Sequence, residues 1–172
     1  SVTWYKSAED SDDEEANVDR LWKNLGNLFK NIWGVPALSV MWTTYKEHKE
    51  SLKGKGYESS FVSYNKRACN EYASRTHLAY CVNNFPRPWE MKYFREHGAE
   101  INGDMYALSI LVQWIFRSAI RNNEEIWVYI PSARMRSLLM TWLDNLAEGK
   151  DLESITYVSP RKKYYVPKKA RK

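Results

Sequence analysis

Apolar residues recur at spacings of three and four between Val18 and Ile32 (Val18, Leu21, Trp22, Leu25, Leu28, Phe29, Ile32), with Asn17 placed to cap the run. That period predicts an amphipathic helix, which Gly34 and Pro36 bring to an end. Ala37 to Trp42 (ALSVMW) is a short apolar run of the kind a buried strand needs, and Thr43 and Thr44 follow it as caps for a helix over YKEHKESLK. That helix stops at Gly54 and Gly56. Residues 60–64 (SFVSY) predict a second strand and Lys66 to Val82 a further helix, before Asn84 to Pro88 breaks the chain. A polar helix-and-loop excursion reaches Gly103. From Met105 the pattern sharpens: Leu108, Leu111, Val112, Ile115 and Ala119 share one helical face, while Gln113, Arg117 and Arg121 form a stripe on the other. A strand at Ile126–Ile130 follows. A helix from Ser132 to Ala147 then packs through Leu138, Leu139, Trp142, Leu143 and Leu146 and closes at Gly149. Ile155 to Val158 is a last short strand. Strands alternating with helices predict an α/β fold in three layers, with a mainly parallel central sheet holding the strands near residues 37–42, 60–64 and 126–130.

Composition narrows the class. At 172 residues the chain fits one domain with a real core. It divides into an acidic flexible segment or linker at 1–16, a folded domain at 17–159 and a basic tail at 160–172. A start on Ser1 rather than Met fits an excised or processed fragment. Eight Trp and twelve Tyr exceed what a core of this size hides, leaving rings to spare for stacking. The net charge of +5 and pI near 9.1 lean mildly toward an anionic partner. Two Cys, Cys69 and Cys81, make no disulfide framework and point to a reducing, cytoplasmic setting. No apolar run has the ~20 residues needed to cross a bilayer, so no membrane partner is expected.

Catalytic signatures are missing. There is no GxxxxGK phosphate loop ending in Ser or Thr, and Gly54-Lys55-Gly56 reads as a helix stop. His48, His77 and His97 have no metal-ligand spacing with each other or with either Cys, so no metal site is expected. The remaining candidate chemistry is the Gln113/Arg117/Arg121 stripe. Three long donors in line suit a phosphate, because Arg offers a fixed fork of N–H groups. The same spacing also suits an ordinary solvated basic face.

The segments taken together carry a resemblance. ALSVMWTTYKEHK looks like motif IV, FVSYNKRACNEY like motif V and QWIFRSAIR like motif VI of the second, C-terminal RecA-like domain of superfamily 2 helicases, specifically the helicase-like replication proteins of phages and mobile elements. The likeness covers roughly residues 37–147 and departs from the family pattern at Phe116, where a Gly is usual, and in the spacing of the second Arg. It implies a RecA-like domain serving as half of a nucleic-acid-dependent ATPase. Gln113, Arg117 and Arg121 would then face the nucleotide, one Arg acting as a finger on the γ-phosphate. Asn65, Lys66, Arg67 and Asn70, with Thr43 and Thr44, would touch nucleic acid, single-stranded or duplex, with DNA favoured. ATP and Mg²⁺ would be held by an N-terminal RecA-like domain in a longer parent and not by this chain alone. Two other readings stay open: a stand-alone nucleic-acid-binding module, supported by the charge, the basic tail and the spare aromatics, and an interaction domain whose Gln/Arg stripe meets an acidic protein.

Overall fold

Two apolar runs of the chain are buried on both faces, which makes them the centre of a parallel sheet. The computed structural model describes residues 17–66, 70–150 and 155–157. Among these, β1 (Val40–Thr43), β2 (His77–Tyr80) and β3 (Trp127–Tyr129) form one sheet in the order β1-β2-β3. Both pairings are parallel, with Val40 opposite His77, Thr43 opposite Tyr80 and His77 opposite Trp127. Expectations for the acidic segment 1–16, for Arg67 and Cys69 and for the basic tail lie outside the described residues.

The strand period sorts side chains into two cores. Val40, Trp42, Ala79 and Cys81 point to one face, where they meet Leu21 and Leu25 of α1 (Asn17–Asn27), Phe29 of its π-helical continuation Leu28–Ile32, and Leu52 of the short α2 (Lys49–Leu52). Beyond β2 comes α3 (Pro88–Glu96), which buries no residue. Met41, Leu78 and Tyr80 point the other way, against Leu108, Leu111 and Trp114 of α4 (Gly103–Ile115) and Met135 and Leu138 of α5 (Ala133–Ala147). The result is three layers, helix on sheet on helix. The large rings keep their polar ends satisfied: the Trp42 indole N–H donates to the Tyr57 carbonyl at 2.8 Å and that of Trp114 to the Val62 carbonyl at 3.0 Å.

The parallel α/β architecture matches the periodicity, but the middle strand is not the expected one. Residues 60–64 form no strand: Phe61 makes one isolated parallel bridge to Trp42, and the Val62 N–H donates to the Trp42 carbonyl at 2.9 Å. Where a helix is expected from Lys66 to Val82, the described residues 70–76 are turn and loop that lead into β2. Leu78, Tyr80 and Val82 alternate with Ala79 and Cys81, and all five are buried. A run apolar on both sides suits a central strand and leaves a helix with no solvent face. Other elements are shorter than expected. The helix after β1 is a 3-10 turn, Lys46–His48, with one α-turn behind it, and Ile155–Tyr157 adds no strand although Ile155 enters the core. In α5, Leu143 and Leu146 are exposed rather than packed. No described helix is long and apolar enough to cross a membrane.

At the amino edge of the sheet His77 stacks on Trp127 (centroids 4.7 Å, 9° between planes) and meets the edge of Trp33 at 5.0 Å. Burial holds its pKa below the ordinary 6.5. Just below that value the unfolded chain therefore binds more protons than the folded one, so the contribution of His77 to stability is intact above 6.5 and declines as pH falls below it. Melting temperatures between about pH 7.5 and 5.5 should fall less for His77→Gln than for the wild type. Parallel curves for the two proteins would show that His77 is not linked to folding.

Candidate functional site

In a parallel sheet the ligand-binding positions lie outside the carboxyl ends of the strands, where neighbouring connections leave in opposite directions. Here that point lies between β1 and β2. From β1 the chain crosses the α1/α2 face and returns at Phe61 on the outer side of β1. It then passes over the opposite face, where Tyr64 and Tyr72 pack against the α4/α5 core, to enter β2 on the inner side.

The carboxyl edge is built from the residues just past each strand. After β1, the Tyr45 hydroxyl donates to the Asn83 carbonyl at 2.6 Å and lies 3.2 Å from the Asn83 N–H, so it bridges the ends of β1 and β2. Its ring meets Tyr64 edge-on at 6.1 Å, and burial raises its pKa. Asn84 donates to the buried Tyr80 hydroxyl at 2.8 Å. After β3, Ser132 caps α5 by accepting the Met135 N–H at 3.3 Å. That cap sends Arg134 across the edge. Its Nε meets Asp104 Oδ1 at 2.8 Å, Nη1 reaches Asn83 Oδ1 at 3.0 Å and the Asn84 carbonyl at 2.8 Å, and Nη2 reaches the Gly103 carbonyl at 3.1 Å. The guanidinium covers the Phe85 ring at 4.3 Å, and the second oxygen of Asp104 accepts the Tyr157 N–H at 2.7 Å. Burial raises the Tyr106 pKa, and the charge of Glu90 at the α3 start raises it further.

The residues expected to act fall into three groups. Thr43 and Thr44 are fully buried, and the Thr43 hydroxyl has no hydrogen-bond partner among the described residues, so neither offers a surface contact. Asn65, Lys66 and Asn70 sit on the loop between Phe61 and β2: Asn65 is exposed and accepts from the Ser63 hydroxyl at 2.6 Å. Lys66 is half-buried, 2.9 Å from the Tyr72 hydroxyl and 3.6 Å from Glu71. Arg67 lies outside the described residues. The arginines expected on one helical stripe are separated. α4 ends at Ile115, and a 3-10 turn (Ala119–Asn122) carries Arg121. Only Gln113 stays on the exposed side of α4. Arg117 is 8% exposed and donates to the Ser63 and Tyr64 carbonyls at 3.3 and 3.4 Å, whereas exposed Arg121 donates to Asn70 Oδ1 at 2.6 Å. The structure thus gathers Arg117, Arg121, Asn65, Lys66 and Asn70 around one loop and leaves Gln113 and the threonines apart from it.

Sequence reasoning passed over Tyr45, Asn83, Asn84, Asp104 and Arg134. For Tyr45, Asn83 and Asn84 the signal was the position just past a strand, readable only once β2 is placed at His77–Tyr80; Asp104 and Arg134 sit in the first turns of α4 and α5 and carried no such signal. Burial pushes the Cys81 thiol up to about 12, so it stays protonated near neutral pH, and among the described residues no three His, Cys, Asp or Glu side chains are grouped to hold a metal.

A family model described as the YonV C-terminal Rossmann-like domain matches residues 1–143. Among curated proteins the chain is 48% identical over 126 residues to the SPbeta prophage-derived uncharacterized protein YonV of Bacillus subtilis (strain 168). That match covers 73% of this chain and 31% of the relative, so the chain spans about a third of the relative's length. No solved structure matches it.

Two substitutions separate the roles of the arginines. Arg117→Ala removes a buried guanidinium from two part-buried carbonyls and should lower stability by about 1–3 kcal/mol, while Arg121→Ala, on the surface, should stay within about ±0.5 kcal/mol. Chemical denaturation measures both, and equal effects would refute the division into strut and surface group.

Proposed function

This chain belongs to the YonV C-terminal Rossmann-like family, and on that premise we propose that it is a nucleic-acid-binding domain of a prophage-derived protein. The contact residues are Ser63 to Lys66, with Asn70. The observation that carries this reading is how the loop is held: the buried guanidinium of Arg117 grips the Ser63 and Tyr64 carbonyls from beneath, and Arg121 ties down Asn70 from the side. Asn65 and Lys66 are thereby presented on a supported backbone rather than a slack one. Amide and ammonium groups on such a loop suit the sugar–phosphate backbone, where most protein contacts to nucleic acid fall.

Affinity for an oligonucleotide should fall steeply between low and physiological salt, and Lys66→Ala should reduce the slope of log affinity against log salt by about one. Titrations at several salt concentrations measure this. An unchanged slope and affinity in the variant would remove the loop as the contact surface.

A second reading goes further, to the C-terminal lobe of a nucleic-acid-dependent ATPase or helicase. What favours it is the Arg121–Asn70 hydrogen bond, which links a motif VI-like arginine to the motif V-like loop, the coupling such a motor needs. Burial of Arg117 leaves Arg121 as the finger candidate, with Gln113 exposed two residues before the end of α4. ATP and Mg²⁺ would then sit on an N-terminal RecA-like domain elsewhere in a longer protein. In that longer protein Arg121→Ala should cut nucleic-acid-stimulated ATP turnover by ~10³-fold with binding intact. Turnover equal to the wild type would exclude Arg121 as the finger.

A further inference from the structure

The nine residues of α3 bury nothing, yet they are rich in rings: Trp89 is 62% exposed, Tyr93 53% and Phe94 43%, with Met91 beside them. A helix this short is marginal by its own propensity, and its start is fixed locally by Pro88 and by Glu90, which accepts the Arg87 N–H at 2.8 Å. Its approach is fixed by Phe85 under the Arg134 guanidinium. A locally capped helix with exposed aromatic side chains marks a binding surface.

Two observations identify the occupant. Trp89, Tyr93 and His97 repeat every fourth residue and so lie on one side of the helix about 6 Å apart along its axis. Tyr93 and His97 already approach to 4.2 Å between centroids. A step of about 6 Å exceeds the 3.4 Å rise of a stacked duplex strand, so only bases that have come unstacked match the spacing. The second observation is charge. Arg87 and Arg95 interleave with the rings, while Glu90 is engaged at the helix start and Lys92 and Glu96 pair with each other at 3.7 Å. Cores of protein–protein interfaces are depleted in charge, whereas single-strand platforms combine rings with cations.

We propose that α3 is a base-stacking platform for single-stranded nucleic acid, with Trp89 and Tyr93 taking successive unstacked bases and Arg87 and Arg95 supplying phosphate contacts. The proposal rests on the nucleic-acid reading above but uses a different element from the Ser63–Lys66 segment.

The test is anisotropy of the full chain with a labelled oligothymidylate and with an abasic phosphodiester strand of equal length. Trp89→Ala and Tyr93→Ala should each weaken oligothymidylate binding about 5- to 100-fold. Both should leave abasic-strand binding and the salt slope unchanged, the reverse of Lys66→Ala. Both positions are exposed, so melting temperature should hold. Wild-type affinity for oligothymidylate in both α3 variants would overturn the platform while the Lys66 response keeps the loop reading alive. Failure of the wild type to bind either strand would overturn both. Unchanged oligothymidylate affinity together with loss of a self-associated species in sedimentation would overturn the platform and make α3 a contact between protein chains.

Discussion

The carboxyl edge of this domain is held by one charge pair. Arg134 and Asp104 are mostly buried, with side chains 11% and 18% exposed, and they join the first turns of α5 and α4. Taking two charges out of water is costly unless the remaining hydrogen-bonding capacity is met as well. It is met here by four further partners: Asn83 and the carbonyls of Asn84 and Gly103 for the arginine, and the Tyr157 N–H for the aspartate. The segments after β2 and β3 are tied directly by this group, and the segment after β1 joins them through the Tyr45 hydroxyl on Asn83. Removal of either charge would strand the other, a change worth about 3–5 kcal/mol in buried pairs.

That constraint explains how strands of three and four residues support a specific surface. Three short strands present a small hydrogen-bonded area, and the connections between them do most of the shaping. Arg117 is the second example of the same device, a buried guanidinium bonded to backbone carbonyls, this time under the loop that leads to β2. The planar fork of Arg suits this role because several donors reach separate acceptors from one rigid group, which the point charge of a Lys cannot do. The arginines that look most like catalytic groups in the sequence thus divide by burial. One holds the loop and the other lies on its surface.

The fold class was legible because helix and strand periods differ, and the α1, α4 and α5 faces were readable from Leu21, Leu25, Leu108, Leu111 and Leu138 alone. β2 was not. THLAYCV carries an apolar or small residue at nearly every position, and a run without alternation fits a buried strand and a buried helix equally well until its neighbours are known. With β2 misplaced, the residues after it, Asn83 and Asn84, had no edge to belong to, and Tyr45 had no partner across the gap. The Arg stripe failed for another reason. Nothing in QWIFRSAIR forbids a continuing helix, since no Gly or Pro interrupts it. The helix stops because tertiary contacts win: the Ala119 N–H goes to the Arg75 carbonyl at 2.9 Å, and Asn122 reaches the Ala73 carbonyl at 3.1 Å. Those acceptors lie more than 40 residues away in the chain, beyond any local pattern.

The same edge explains why α3 stands clear. The connection from β2 must travel from Asn84 back to the start of α4, and Arg134 already fixes both ends, at the Asn84 carbonyl and at Gly103. Everything between those anchors is an excursion whose ends are set and whose middle is unconstrained by the core. A flexible loop would satisfy that geometry with polar residues and Gly. The chain instead spends a capped helix there and leaves its rings uncovered. Ordering residues costs conformational entropy, which core burial does not offset when no residue of the helix is buried. The helix is supported locally instead, by Pro88 and Glu90 at its start and by the Lys92–Glu96 pair one turn on, so its rings need no place in the core and stay at the surface, where the proposed platform would use them.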